Sequence, residues 1–480
     1  VKVMCSLLTN IVPSSFNDHR FSFEVLSYFT QNEYSGLALQ TLSIFLSKSK
    51  ECITNFNNRR FGMNTKNDNF SAYVGLDWAD KKHDICVQVK DEESRAFSVI
   101  SHSPESIHDW VEGLHKKVKG NIAVAVELNK GPIVYALQKY SFVTVYPIHG
   151  LTLARYRQAM FPSGSKDDPS DAELALDMML NYPKKITPLK PSSEKTRTLA
   201  LLVEQRRLLV DDKRRHANRI INALKQYYTQ PLEWFSHRDT ELFCNFLIKF
   251  PNLNELKRVR TNTVAKLLNS RGGPTVKKTP ERIASIKEAI PLTNDESLII
   301  PYQTFVIALA KQMLVLINNI REYDSQISSI FTSMDDASIF ASLPGTGPCL
   351  APRLLAALGE DKSRFSSAQE IQNYAGLSPV TERSGQKSWV HWRWQCSKFV
   401  RQSFIEWASK SVGQSYWAGI YYAQQKAKGN SHQSAIRALA YKWVRILFRC
   451  WKTGKAYDES KYLKALKEKG SPLLVVEKTC

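Results

Sequence analysis

The sequence predicts an α/β domain that is joined by long helices to a mostly α-helical C-terminal domain. Three observations predict this arrangement. Residues 71–181 alternate between short apolar runs and helix-like apolar spacing. Two long segments, 194–228 and 301–332, carry apolar residues along one helical stripe. After residue 335 the chain reads as helices separated by Gly-rich and aromatic-rich turns.

The composition indicates a globular protein with a polyanionic partner. A chain of 480 residues is long for one core, so we expect two or three domains. Its 66 Lys and Arg against 45 Asp and Glu give a net charge of +21, an excess typical of proteins that contact phosphates. The alternative is a basic protein that is merely soluble. No uninterrupted apolar run reaches about 18 residues, so we expect no membrane partner. The eight cysteines form no CxxC pair, which argues against a zinc site or a disulfide framework and fits a cytoplasmic protein.

Changes in composition predict four segments. Residues 1–70 are rich in Ser, Asn and Phe with poor periodicity. We expect them to be disordered or to precede a true start at Met63, the alternative being a real accessory segment. The segments are 1–70, the α/β domain at 71–182, a helical linker at 183–334 with a small basic insert at 235–298, and a C-terminal domain at 335–480.

The α/β domain can be read element by element. Two strands joined by a tight turn are followed by a third strand, and then helices and strands alternate. The apolar run "NIAVAVE" is typical of a buried central strand. The predicted elements after the first two strands are a strand at 95–100, a helix at 104–118, a strand at 121–127, a helix at 131–140, a strand at 142–148 and helical sequence at about 150–181.

Prolines at 183, 188 and 191 mark the start of the linker. Its two long helices predict either an antiparallel pair or a dimerising coiled coil. The first helix has a basic stripe that includes Arg206, Arg214 and Arg215. We expect this stripe to contact nucleic acid; the alternative is a solvated helix face. Further on, "LPGTGPCLAPRLLAAL" is similar to a helix-hairpin-helix element that binds phosphate, or is an ordinary helix connector.

Four carboxylates stand out by their positions. Asp77 follows one apolar strand run and Glu127 ends another. Asp168 and Asp171 share one face of a helix whose first turn contains Pro169. Four acids close together repel one another unless a cation joins them, and the hard ion Mg²⁺ prefers oxygen ligands. For each residue alone, a helix cap or a surface acid remains the alternative.

The segment "PVTERSGQKSWVHWRW", residues 379–394, suits a phosphodiester substrate. Arg383 and Lys387 flank Ser384 in a turn that contains a glycine. The aromatic residues that follow, with Trp389 and the basic Arg393 among them, can stack on bases and contact backbone phosphates. Lys398 extends the basic surface. The alternatives are a turn serine and an apolar cluster of the tryptophans at 389, 392 and 417.

Several motifs together resemble a known family. The motifs are "YVGLDWADKKHDICV", "VAVELNKG", "SKDDPSDAELA" and "LPGTGPCLAPRLLAALG…RFSSAQEIQNYAGLSPVTERSG". From about residue 70 to 480 the chain looks like the DEDD transposases of the insertion sequence 110 family. The resemblance implies a RuvC-like (RNase H) fold in which Asp77, Glu127, Asp168 and Asp171 hold Mg²⁺. Two positions depart from the family pattern: Asp167 replaces a Thr, and "CSKFVRQSF" lacks a Gly.

The same resemblance implies that Ser384 is a nucleophile that becomes covalently bound to a DNA phosphate. It further implies a structured guide RNA that pairs with the DNA at the element ends and at the target. We expect a homo-oligomer, a dimer or a tetramer, because two strands must be exchanged, and a cytoplasmic, nucleoid-associated location. Two other functions remain open: a RuvC-like nuclease that hydrolyses branched DNA, and a nucleic-acid-binding protein without catalysis.

Overall fold

The computed structural model describes residues 70–161, 168–270, 274–471 and 473, with only the backbone of Asp168, Pro274 and Thr275. The expectations for the N-terminal segment and Met63 therefore lie outside the described residues. The chain divides into two compact units, one ending at Lys190 and the other beginning at Pro191. Each unit is described by itself.

The first unit contains a mixed five-stranded sheet. The strand order is β3-β2-β1-β4-β5; β2 is antiparallel to β1 and β3, while β4 is parallel to β1 and β5. The predicted α/β frame is confirmed, and it is consistent with a RuvC-like domain. The strands are β1 Ala72–Trp78, β2 Lys82–Val89, β3 Arg95–Ser101, β4 Ile122–Val126 and β5 Val143–Pro147.

Helices cover both faces of this sheet. Val74 and Leu76 of β1 share an apolar core with Ile107 of α1 and Ile133 of α2. On the opposite face, Cys86 and the alanines of β4 share a core with α3 and α4. The helices of this unit are α1 Pro104–Val118, α2 Pro132–Leu137, α3 Gly150–Met160 and α4 Asp168–Asn181.

The second unit is almost entirely helical. Its helices are α5 Glu194–Tyr227, α6 Pro231–Trp234, α7 Glu241–Lys249, α8 Leu253–Arg258, α9 Thr261–Leu268, α10 Pro274–Lys277, α11 Thr279–Glu288, α12 Glu296–Thr332, α13 Ala337–Ala341, α14 Gly347–Leu358, α15 Ala368–Tyr374, α16 Lys398–Ser411, α17 Tyr416–Ala427, α18 His432–Thr453 and α19 Glu459–Glu468. A two-stranded ribbon, β6 Val380–Ser384 and β7 Lys387–His391, interrupts them.

The two long helices, α5 and α12, pack as an antiparallel pair within one chain. Leu199 at the start of α5 shares a core with Phe331 at the end of α12, whereas Ile220 near the end of α5 packs with Val306. The structure thus shows the antiparallel pair, which was the first of the two predicted arrangements. Helix α12 begins earlier than predicted because the side chain of Asp295 accepts a hydrogen bond from the backbone N–H of Ser297 and caps it.

Helix α12 is also the one helix in the described ranges that is long and apolar enough to cross a membrane by length and composition alone. It packs lengthwise against α5 through buried residues such as Leu309 and Met313.

Candidate active site

The register of the sheet places Asp77 and Glu127 at one edge, on the face that α4 covers. Strands β1 and β4 are parallel, and Leu76 pairs with Val126. The next residue on each strand is one of the two acids. Because side chains alternate between faces, Asp77 shares the face of Gly75, and Glu127 shares that of Ala125. The sequence-based expectation that these two carboxylates are neighbours is consistent with this register.

Gly75 lets α4 approach this face closely. A Cβ atom at Gly75 would lie 1.9 Å from the backbone oxygen of Ala172 and 2.7 Å from the backbone nitrogen of Leu176. Only glycine fits beneath a helix backbone at that distance. Asp171 immediately precedes Ala172, so this contact brings Asp171 close to β1. The point of contact, Gly75, lies two residues before Asp77.

Asp171 is buried and paired with an arginine that the sequence analysis did not identify. Its side chain is 4% exposed, and Nε of Arg157, on α3, donates to its Oδ1 at 2.5 Å. Nη2 of Arg157 contacts the same oxygen. Among so many basic residues, nothing in the local pattern distinguishes Arg157.

On the other side of α4, an arginine of the sheet pairs with two further acids. Arg95 of β3 donates through Nη1 to Glu173 at 2.7 Å and through Nη2 to Asp177 at 2.6 Å. Burial is the largest single influence on the pKa of Arg95 and lowers it. The hydrogen bonds and charges of Asp177 and Glu173 together outweigh burial, so the pKa of Arg95 is raised. Ion pairs with Arg157 and Arg95 therefore fix α4 on both sides of the contact at Gly75.

Glu127 lies against the first residue of α3. A Cβ atom at Gly150 would lie 2.0 Å from Oε1 of Glu127. The side chain of His149 accepts a hydrogen bond from the backbone N–H of Leu151 and caps the helix. Helix α3 thus contacts two of the predicted acids, Glu127 at its start and Asp171 through Arg157.

A further acid lies opposite Asp77. Asp84 pairs with Asp77 across β1 and β2, so both side chains project from the same face. The Asp84 side chain is 8% exposed and lies 3.5 Å from Nζ of Lys82. Asp84 was not among the acids predicted from the sequence.

The donor chemistry fits a hard divalent cation, although the full predicted set is not assembled here. Asp77 and Glu127 at the sheet edge, and Asp171 on the covering helix, supply carboxylate oxygens. Among the described residues, no three Asp, Glu, His or Cys side chains form a group that could hold a metal ion. The side chain of Asp168 lies outside that set. Asp171 is engaged by Arg157 through Oδ1, so binding of an ion requires it to share or to exchange this partner.

In the second unit, Ser384 is the last residue of β6, at the tip of the β6–β7 ribbon. Ser384 pairs with Lys387 across a two-residue turn, in which Gly385 has φ of 56°. Residues 384–387, which form the tip of the ribbon, are all exposed. A hydroxyl at an exposed tip, opposite an ammonium group, is accessible to a substrate as large as a nucleic acid.

The ribbon separates the residues that surround Ser384 in sequence. Directly paired residues share a face, so Lys387 accompanies Ser384, whereas Arg383 pairs with Ser388 on the other face. Of the two cations expected to flank the serine, Lys387 is therefore on its side of the ribbon and Arg383 is not.

A hydrogen-bonded network stabilises the face that carries Ser384. Glu382 accepts from Nε1 of Trp389 at 3.0 Å and bonds Nε2 of His391 at 2.8 Å. Nδ1 of His391 bonds the backbone oxygen of Trp392 at 2.7 Å. Both ring nitrogens are thus occupied, and His391 pairs with Val380 at the far end of the ribbon. His391 therefore has a structural role in this conformation, and no general base for Ser384 is evident among the described residues.

The aromatic residues do not form one apolar cluster. Trp417 is fully buried, with its ring centroid 4.6 Å from that of Trp443. In contrast, Trp389 is 47% exposed and Trp394 is 75% exposed. Two large rings near Ser384 in the sequence are thus available for stacking, which contradicts the alternative of a shared cluster at 389, 392 and 417.

The other residues predicted to contact nucleic acid differ in how exposed they are. Arg206 forms a bidentate ion pair with Asp324 of α12, with Nε–Oδ1 at 2.5 Å, and this corrects its assignment to a free basic stripe. Arg214 and Arg215 each pair with an acid one turn away on the same helix and stay more than half exposed. Lys398 is exposed, while Arg393 is half-buried.

Comparison with known proteins places these residues in a family. One family model of DEDD transposases of the IS110 type matches residues 74–229, and the model "Transposase IS116/IS110/IS902 family" matches residues 337–423. A proposed mini-circle transposase for IS117 from Streptomyces coelicolor is 25% identical over 82% of this chain and 97% of its own length. The 44.8 kDa protein of insertion element IS116 from Streptomyces clavuligerus is 26% identical over 80% of this chain and 95% of its own.

A shorter match is to a protein named for gene inversion. The pilin gene-inverting protein of Moraxella bovis is 27% identical over 30% of this chain and 46% of its own length. Both family models and the long relatives agree with the resemblance seen in the motifs. The chain belongs to the IS110 family of transposases.

Proposed function

We propose that this transposase cuts and rejoins DNA through a covalent bond to Ser384, and so moves its own insertion sequence. The observation that carries the proposal is the exposed position of Ser384 at the ribbon tip, paired with Lys387. The name of the Moraxella relative, which inverts a gene, supports breakage and rejoining rather than hydrolysis alone.

The bonds in the proposed step balance without a further reagent. Oγ of Ser384 forms a bond to phosphorus, and one bridging P–O bond of the DNA strand breaks. The departing oxygen keeps the electron pair and takes up a proton, while the serine proton is lost. When the hydroxyl of another strand attacks the phosphoserine, the P–Oγ bond breaks and the serine is restored. Lys387, which pairs with Ser384 across the ribbon, would stabilise the negative charge that develops on the phosphate.

We further propose Mg²⁺ as the cofactor of the α/β unit. Asp77, Glu127 and Asp171, with Asp168 on the same helix as Asp171, would hold it. When bound, the ion would stabilise negative charge on phosphate oxygens. The close contact at Gly75 and the ion pair of Arg157 keep the acidic residues of the helix and the sheet near one another.

The partners we propose are DNA, a structured guide RNA and further copies of the chain. The net charge of +21 supports a nucleic-acid partner, and the exposed Trp389 and Trp394 support stacking on unpaired bases. We propose a dimer or a tetramer because two strands must be exchanged.

The test is a search for a protein–DNA adduct on a denaturing gel. The full chain is incubated with Mg²⁺, DNA that contains the element ends and the RNA transcribed beside the gene. Ser384→Ala should form no adduct. Ser388→Ala is the matched control, because Ser388 is also exposed but lies on the other face of the ribbon; it should form adduct like the wild type.

Two outcomes would favour the other functions. If Ser384→Ala still cuts DNA and no variant forms an adduct, the protein is a hydrolytic nuclease that uses only the α/β unit. If Asp77→Asn, with its fold intact, leaves strand exchange unchanged, the proposed metal ligands are wrong and a role without metal chemistry takes precedence.

A further inference from the structure

Three arginines surround one tryptophan at the base of the β6–β7 ribbon. Trp392 directly follows β7, Arg393 is its neighbour, Arg401 lies on α16 and Arg437 lies on α18. The Cζ atom of Arg437 is 2.9 Å from the ring centroid of Trp392, and that of Arg401 is 5.7 Å from it. We call these four residues the arginine cluster.

The positive charges of the arginine cluster lack acidic partners in the part of the chain that the structure describes. Within the described residues no carboxylate forms an ion pair with Arg393, Arg401 or Arg437, and the Nε atom of each is buried without a hydrogen-bond acceptor. Among the described residues the hydrogen bonds of their other nitrogens go to amide, carbonyl and cysteine groups: Arg393 donates to Oδ1 of Asn373 at 3.3 Å, and Arg401 donates through Nη2 to the backbone oxygen of Arg393 at 2.5 Å and to Sγ of Cys396 at 2.6 Å. Burial, followed by the charge of Arg401, lowers the pKa of Arg437.

Such an arrangement costs free energy unless an anion completes it. Like charges repel at short distance, and buried donors without acceptors lose their hydration. Some arginines of the same unit are paired with acids, as Arg206 is with Asp324 and Arg353 is with Glu406, whereas Arg238 and Arg282 each keep a buried nitrogen without an acceptor. The arginine cluster differs in that three such arginines lie together around one ring, so that repulsion adds to the lost hydration and folding alone does not favour it.

We propose that the arginine cluster binds a backbone phosphate of a nucleic-acid strand. A phosphodiester offers several acceptor oxygens and one negative charge, which guanidinium groups bind in a planar, two-pronged geometry. Stacking on Trp392 fixes the plane of the Arg437 guanidinium. That the anion is a nucleic-acid strand, rather than a small phosphate, rests on the proposed function.

The position of the arginine cluster makes it distinct from the proposed nucleophile. Trp392 adjoins His391, which pairs with Val380, four residues before Ser384. At about 3.4 Å per residue, the two ends of the ribbon are roughly 14 Å apart. The arginine cluster would hold a phosphate away from the reacting one and would orient the strand along the ribbon.

The test measures binding and requires no cleavage. Arg437→Gln is compared with Arg449→Gln, a control on the same helix with an exposed arginine. The probes are fluorescently labelled DNA and RNA single strands of the same sequence, titrated over a range of salt. Arg437→Gln should weaken binding about tenfold and lower the slope of log affinity against log salt by about one. The control should change neither quantity by a comparable amount.

Comparison of the DNA and RNA probes shows which of the two nucleic acids binds at the arginine cluster. A loss on DNA, RNA or both that exceeds the loss in Arg449→Gln supports the proposal and identifies the occupant. Equal affinities of Arg437→Gln and Arg449→Gln on both probes overturn it. Because this assay measures binding without cleavage, a failure of the serine chemistry leaves its result intact.

A thermal melt separates binding from packing. Removal of one of several crowded like charges should leave the melting temperature of Arg437→Gln unchanged or raise it. A melting temperature clearly below that of Arg449→Gln would show that Arg437 stabilises the fold, and the proposal would then be withdrawn. As a second variant, Arg401→Gln combined with Arg437→Gln should lose less affinity than the product of the two single losses, because both residues act on one phosphate.

Discussion

Replacing Arg157 by Gln tests how the acidic residues of the α/β unit are held. The change removes the cation that contacts Oδ1 of Asp171 at 2.5 Å. It leaves a carboxylate whose side chain is 4% exposed without its charged partner. A negative charge that is buried and unpaired is costly, so the unit should become less stable wherever no other cation replaces the guanidinium.

The expected magnitude follows from the burial of the pair. Removing one partner of a buried ion pair costs about 3–5 kcal/mol. Two unit charges about 4 Å apart attract by about 4 kcal/mol at the effective dielectric of a protein surface, which gives the same scale. Arg157 itself is 20% exposed, so we expect the lower figure, about 3 kcal/mol. For a unit of this size that corresponds to a fall of about 6–12 °C in melting temperature.

The assay is thermal unfolding of the full chain in EDTA and in Mn²⁺ or Mg²⁺, with amide hydrogen exchange of α4 as the local measure. Arg155→Gln is the matched control, because Arg155 is an exposed arginine on the same helix. In EDTA, Arg157→Gln should melt well below the control. A divalent cation should recover more stability in Arg157→Gln than in the wild type, because the ion replaces the lost positive charge beside Asp171.

Two results would refute this reasoning. If Arg157→Gln and Arg155→Gln melt within about 1 kcal/mol of each other, the ion pair is not a buried one in solution. If the gain from the divalent cation is the same in Arg157→Gln and in the wild type, Asp171 is not among the residues that bind the ion.

Two further predictions concern single contacts. Gly150→Ala should displace the carboxylate of Glu127, since the added Cβ would lie 2.0 Å from its Oε1. We expect a large loss of metal-dependent strand cleavage, with a change in the free energy of unfolding below about 1 kcal/mol. A large loss of stability instead would contradict the assignment of Glu127 as a metal ligand. The hydrogen bond to Glu382 raises the pKa of His391 above 6.5 and holds the pKa of Glu382 below 4.5. The pair should therefore stabilise the ribbon fully between about pH 4.5 and 6.5, and its effect should fade as pH rises through the raised pKa of His391 or falls through the lowered pKa of Glu382. NMR titration of His391 checks this, and Glu382→Gln should bring its pKa down towards 6.5; an unchanged titration would count against the pair.

Local sequence patterns were sufficient to predict the frame of the first unit. Apolar runs and alternation predicted its strands, and the acids that end two of those runs lie at one edge because β1 and β4 are parallel neighbours. The glycine inside β1 also carried information about packing, because a glycine within a strand often marks a place where another backbone approaches closely. Gly75 meets the backbone of α4 in this way.

Partners distant in sequence could not be predicted. Arg157 and Asp171 lie on different helices, and the partner of Arg206 is 118 positions away. Nothing in a basic helical stripe shows which arginine faces a second helix and which faces solvent. For the same reason only Arg393 of the three clustered arginines was predicted to contact nucleic acid, since Arg401 and Arg437 come from two helices distant in sequence.

The distribution of charge bears on how such a protein recognises its substrate. Some of the cations are paired inside the fold: Arg95 and Arg157 fix α4, and Arg206 fixes the long helices. Each such pair also takes up an acid, so the net charge of +21 is carried by the cations outside these pairs. The cations left without acidic partners around Trp392 adjoin the ribbon whose tip carries Ser384. A nucleic-acid strand bound there would be oriented by a fixed, half-buried site, while long-range attraction by the exposed lysines and arginines would only bring it near.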